Sequence, residues 1–292
     1  MGQYGKTIKI YLSDGSPSGL RHVEIANWSG QALACPRVRI SELSSWDESK
    51  RPGVYFLLEN INSGSRKLAY IGESEDVYSR LIAHDRQKDF WSEVIIFTSK
   101  DENLTKGHIK YLESQIVQQS RDADRYELEN SNTPTKSNLP RADMSAMEEF
   151  IDNIKLVLGS LGHPILQSLE SNQPVTSNPQ SLLDYDFNFE VNSLKASGRM
   201  TDSGFLLKKG SQIAIKSYNS MPGKTKLIKE NLLQEGILIK HEDFLMLNED
   251  YLLSSSSYAA SIVAGNSRSG PQSWKTINGK TLKEVEESLL SH

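Results

Sequence analysis

Two short β-prone runs, Val54-Tyr55-Phe56-Leu57-Leu58 and Leu68-Ala69-Tyr70-Ile71-Gly72, constrain this chain most. Each is too short for a helix, and Asn60 to Ser65 between them is rich in turn formers, so they predict two antiparallel strands joined by a loop. Val94-Ile95-Ile96-Phe97 predicts a third strand. Between the second and third, Val77, Leu81 and Ile82 at helical spacing predict a helix capped near Ser74. From about Leu104 to Gln119, Ile109, Leu112, Ile116 and Val117 mark an amphipathic helix. A second such helix, with Met147, Phe150, Ile151, Ile154, Val157 and Leu158 as its stripe, is predicted to start at a Ser145-to-Glu148 capping box and end at Gly159 or Gly162.

The rest of the chain arranges itself around this α+β segment. Thr7 to Leu12 and residues 21 to 26 are β-prone, and the turn cluster Asp14-Gly15-Ser16-Pro17-Ser18-Gly19 between them predicts an N-terminal hairpin in a segment covering 1–45. Pro164, Pro174 and Pro179 among Ser, Asn and Gln make 163–184 a linker with little to bury, and 185–292 a second, small α+β module. A length of 292 residues suits two domains, since single cores divide before growing so large. With 37% apolar and 24% charged residues, both should bury a core. No run approaches the ~18 apolar residues of a bilayer span, so the expectation is a cytoplasmic protein with no membrane partner. The single cysteine, Cys35, excludes an intrachain disulfide and a cysteine-built zinc site and reads as a small apolar residue.

The net charge of -4 runs against the basic footprint of a nucleic-acid binder. The acidity, however, is local. Residues 1–120 carry 15 basic and 15 acidic groups, 121–195 carry 6 and 12, and 204–292 carry 11 and 9, which leaves a neutral first part and a mildly basic last part able to meet phosphates through local patches.

Glu113 is the residue that demands chemistry. It lies four positions after Ile109, three before Ile116 and four before Val117, and so projects from the apolar face of its helix. An ionised carboxylate there must be ion-paired, protonated or bound to a metal. Arg80 and His84, four apart on a predicted helix, aim a guanidinium and an imidazole at one point, although such a pair alone also suits a solvated surface.

In chain order the residues are Gly53-Val54-Tyr55, Tyr70-Ile71-Gly72 with its tyrosine fifteen positions after Tyr55, Arg80, His84, Glu113 and a later asparagine. Over 51 to about 140 this order and spacing resembles the GIY-YIG nuclease family. The resemblance implies a GIY-YIG domain at 46–162, built on a small three-stranded antiparallel sheet flanked by helices. It implies that Tyr55 and Tyr70 lie side by side over a cleft, that Arg80 contacts the scissile phosphate with His84 contributing one turn later, and that Glu113 binds a single Mg²⁺ or Mn²⁺. A hard cation polarises the phosphate while a guanidinium stabilises its equatorial oxygens. Tyr55 as a general base would need its pKa lowered from about 10, and otherwise only positions the attacking water. Asn130 suits the family's late asparagine, with Asn132 and Asn138 as competitors. Glu73 stands where members place a lysine.

The second module is similar to a small domain of unknown function often attached to GIY-YIG nucleases, through Gly204-Phe205-Leu206-Leu207, the serine run Ser254 to Ser257 leading into Ala259-Ala260, and Trp274. Ser254 is the expected N-cap of its Ala-rich helix; Trp274 either stacks on a base or fills the core. The expected function is metal-dependent hydrolysis of DNA in restriction, defence or repair, leaving 3′-hydroxyl and 5′-phosphate ends. The rival is a non-catalytic DNA-binding or adaptor protein. One such centre cuts one strand, so a double-strand break needs a homodimer or two encounters.

Overall fold

The structure is a computed structural model that describes residues 5–59, 67–85, 87–101, 103–130, 137–168 and 181–290. The Asn60 to Ser65 turn, Asn132 and most of the expected linker lie outside these residues. The chain divides into two compact units, Met1–Ser168 and Leu169–His292.

The first unit is built on one seven-stranded sheet: β1 (Ile8–Leu12), β2 (Arg21–Ile25), β3 (Gly30–Pro36), β4 (Gly53–Leu58), β5 (Lys67–Ser74), β6 (Glu93–Ser99) and β7 (Tyr126–Leu128). Their spatial order is β1-β2-β3-β6-β4-β5-β7, antiparallel throughout except for the parallel β5–β7 pair. All three expected strands are present, but the sheet is larger than the three-stranded one expected. The N-terminal hairpin is no separate segment, because β3 pairs with β6 along its whole length. Period-2 alternation explains why β3, β4 and β6 are apolar throughout. One set of side chains, including Val54, Phe56, Ile71 and Ile95, packs against α2 (Lys106–Ala123) and α3 (Arg141–Ser160). The other set, including Tyr55, Leu57 and Ile96, packs against α1 (Val77–Asp85) and a 3₁₀ segment at Arg37–Ser45.

Helix starts differ from the sequence expectation by a few residues. Asp76 rather than Ser74 caps α1, its carboxylate accepting from the Ser79 amide at 3.0 Å. The helix α3 begins at Pro140 rather than Ser145, whose hydroxyl donates back to the Arg141 carbonyl inside the helix. Its end lies at Gly162, which takes the left-handed conformation with φ +90°. The expected linker also begins too early. Ile165 and Leu166 are buried in the first core, and His163 Nε2 bonds Glu93 Oε2 at 2.9 Å.

The second unit is α+β, as expected. A four-stranded sheet joins β8 (Asp186–Val191), β9 (Leu194–Thr201), β10 (Gly204–Leu207) and β14 (Tyr251–Leu253) in the order β14-β10-β9-β8. A three-stranded sheet holds β11 (Gln212–Ile213), β12 (Leu238–Lys240) and β13 (Leu245–Leu247). Its helices are α4 (Gly223–Gln234), α5 (Ser256–Ala264), α6 (Gly270–Ser273) and α7 (Leu282–Leu290). Ser255, one residue after the expected Ser254, caps α5 by accepting from the Tyr258 amide. Trp274 takes the core alternative: its ring packs on Phe205 at 4.5 Å between centroids, and its indole N–H donates to the Ser256 carbonyl at 2.9 Å. No helix among the described residues is long and apolar enough to cross a membrane.

Candidate active site

The antiparallel register of β4 and β5 sets Tyr55 opposite Gly72 and Leu57 opposite Tyr70, so both tyrosines stand on the face shared with α1, with ring centroids 6.3 Å apart. Gly72 is required there. A Cβ at that position would collide with the Tyr55 hydroxyl and touch the Tyr70 ring. Gly53 has a parallel reason, since a Cβ would strike the Phe97 carbonyl on the neighbouring strand. The glycine at each end of the two tripeptides therefore admits another group at close range.

On α1, four-residue spacing turns Arg80 and His84 toward the tyrosines. The Arg80 guanidinium, itself exposed, donates to both phenol oxygens. His84 is buried, with Nε2 2.9 Å from Tyr55 Oη. Its Nδ1 is buried without a hydrogen-bond partner. A bare acceptor is cheaper to strand than an N–H donor, which assigns the proton to Nε2 and makes the imidazole the donor to Tyr55. The Tyr55 hydroxyl is then free to donate to Tyr70, as the coupling between the two phenols requires. Burial first, then the Arg80 and Lys88 charges, pushes the imidazole down to about 4, so it is neutral at pH 7.

Burial raises the Tyr55 phenol far above its ordinary value, and Tyr70 is raised for the same reason. Arg80 opposes both shifts without overcoming them. With Tyr55 fully buried, this is the opposite of what a tyrosinate base needs.

Glu113 leaves α2 half-buried, and its carboxyl is pushed up to about 7, first by burial, then by the Glu73 carboxylate, against the pull of Arg80 and Lys110. It forms no ion pair with a described residue, so of the three alternatives for a buried carboxylate only protonation and a bound cation remain. Asn130 is fastened to β5: its side chain accepts from the Ile71 amide at 3.0 Å and donates to the Ile71 carbonyl at 2.7 Å. The exposed Asn138 makes no such tie. Thus Tyr55, Tyr70, Arg80 and His84 touch one another, Glu113 acts on them through its charge, and Asn130 holds the edge of the strand that carries Tyr70.

Sequence reasoning missed Lys88, whose ammonium lies 4.5 Å from the centre of the Tyr70 ring and 3.6 Å from the Glu129 carboxylate. Its signal was the spacing 80, 84, 88. Among the described residues no group of three or more His, Cys, Asp or Glu side chains is placed to hold a metal. The donor set at Glu113 is oxygen alone and rich in negative charge. That fits Mg²⁺ or Mn²⁺, which bind through one or two carboxylates and complete their shell with water and phosphate.

Residues 187–286, within the second unit, match the family model of a domain of unknown function, DUF4357. No curated protein and no solved structure matches the chain.

Proposed function

We propose that the first unit is a divalent-cation-dependent DNA endonuclease of the GIY-YIG type, acting in the cytoplasm in restriction, defence or repair. The observation that carries this reading is the convergence of Tyr55, Tyr70, Arg80 and His84 on one end of the β4–β5 pair, with Glu113 close enough to alter the proton affinity of both phenols. Water attacks phosphorus and the bond to the 3′ oxygen breaks, leaving a 3′-hydroxyl and a 5′-phosphate.

Arg80 is the exposed cation and meets the non-bridging oxygens, where its guanidinium offsets the charge that grows in the transition state. The two phenols hold that guanidinium in place beforehand, so little ordering is left for the reaction step. Tyr70, half-buried at the surface, orients the attacking water; Tyr55 and neutral His84 lie behind it and fix the network. Glu113 would hold the Mg²⁺ or Mn²⁺, which when bound supplies Lewis-acid polarisation of the phosphate. Asn130 keeps β5 in register beneath Tyr70. The second unit supplies contacts to DNA and target choice, and a homodimer would bring two centres to two strands.

The test is nicking of supercoiled plasmid, methylated and unmethylated, in Mg²⁺ and in EDTA. Arg80→Ala and Glu113→Ala should each lower the rate by at least ~10³-fold with DNA binding retained, because both groups act mainly in the transition state. Parental rates in both variants would dismiss the nuclease reading in favour of a DNA-binding adaptor.

A further inference from the structure

Two carboxylates at the rim of this site have no counterion on the chain. Alternation along β5 puts Glu73 on the same face as Ile71, which packs with Ile109, Leu112 and Ile116 of α2. Glu113 leaves α2 on that same apolar stripe. The two side chains therefore approach from β5 and α2, and their like charges oppose one another. Neither forms a hydrogen bond or ion pair with a described residue, whereas the adjacent groups are engaged. Glu75 pairs with Lys106 at 2.7 Å, and the Arg80 guanidinium is spent on the two phenols.

A half-buried carboxylate without a partner costs free energy, and a second one facing it raises that cost. A chain that keeps both gains only if something doubly positive is bound between them. Lys110 and Arg80 lower the repulsion without removing it. On the nuclease reading, we infer that Glu73 is a second carboxylate ligand, sharing the divalent cation with Glu113. Two carboxylates from a strand end and a helix fix two positions of an octahedral shell and leave four for water and the phosphate, the pattern that suits Mg²⁺. Glu73 would thus set how tightly the cation is held before DNA arrives.

The experiment is a titration of the full chain with Mn²⁺ in the absence of DNA, with the free ion followed by its electron paramagnetic resonance signal. Thermal unfolding with and without Mn²⁺ provides a second readout. The parent should bind one ion. Glu73→Gln and Glu113→Gln should each weaken binding by ~10-fold or more and shrink the Mn²⁺-induced rise in melting temperature, since that rise follows the binding constant. Glu75→Gln, next to the site but paired elsewhere, should bind like the parent. Glu73→Gln should still nick plasmid, with its half-saturating Mg²⁺ shifted upward by ~10-fold. Parental Mn²⁺ binding and unchanged Mg²⁺ dependence in Glu73→Gln, with both lost in Glu113→Gln, would overturn the role of Glu73 and leave the nuclease standing. A parent that binds no Mn²⁺ and nicks nothing in Mg²⁺ would overturn the nuclease reading and this inference with it.

Discussion

His84 shows how much a single position is decided by what surrounds it. In the unfolded chain its imidazole has its ordinary value near 6.5, and in the folded protein burial and the Arg80 and Lys88 charges bring it to about 4. Between those values the unfolded chain binds a proton that the folded one refuses. The stability His84 contributes is therefore complete above pH 6.5 and is lost as the pH falls through about 4. Glu113 has the opposite sign: its carboxyl, raised from 4.5 to about 7, contributes stability that is complete below pH 4.5 and is lost as the pH rises through about 7. A proton NMR titration should accordingly show the His84 ring signals without a midpoint above about pH 5. A midpoint near 6.5 would mean that the imidazole is not held in this buried network.

At the scale of elements, the β4–β5 pair builds the site by letting backbone stand where a side chain would block it. Gly72 sits directly across from Tyr55, in an extended strand that any residue can adopt. Gly72→Ala should therefore leave the fold intact, at the ~1–3 kcal/mol cost of an overpacked position, while pushing the Tyr55 hydroxyl off His84. Nicking should fall by at least ~10-fold with only a modest drop in melting temperature. A variant that nicks at the parental rate would show that the Tyr55–His84 contact does not matter to the reaction.

For the whole molecule, each unit carries its own core, and the boundary lies later than the proline content suggests. Ile165 and Leu166 are buried in the first core and His163 is bonded to Glu93, so the first unit extends to Ser168. A protein of residues 1–168 should unfold cooperatively and keep metal-dependent nicking at high enzyme concentration, with weaker or less selective DNA binding. One ending at 162 should lose several kcal/mol, since each large aliphatic side chain removed from the core contributes about 1.5–3 kcal/mol. A folded 1–168 protein that cuts at no concentration would show that the second unit completes the site.

The amino-acid sequence alone determined the strands and helices of the first unit, because burial on one face leaves a period that survives without a structure. Ile109, Leu112 and Ile116 marked α2, and the runs at 54–58, 68–72 and 94–97 marked the central strands. It also selected Tyr55, Tyr70, Arg80, His84 and Glu113, since an acid on an apolar stripe and a cation four residues from an imidazole are local patterns. The end of α3 and the choice among asparagines were left open by such patterns. The φ of Gly162 and the bonds of Asn130 to Ile71, formed across 59 residues, decided them. Pairing of β3 with β6, which draws the N-terminal hairpin into the sheet, depends on hydrogen bonds between distant segments that no local period encodes. Only the tertiary structure set Glu73 against Glu113 and Lys88 over Tyr70, because electrostatic contact depends on distance in space, and those distances exist only once the sheet has brought the elements together.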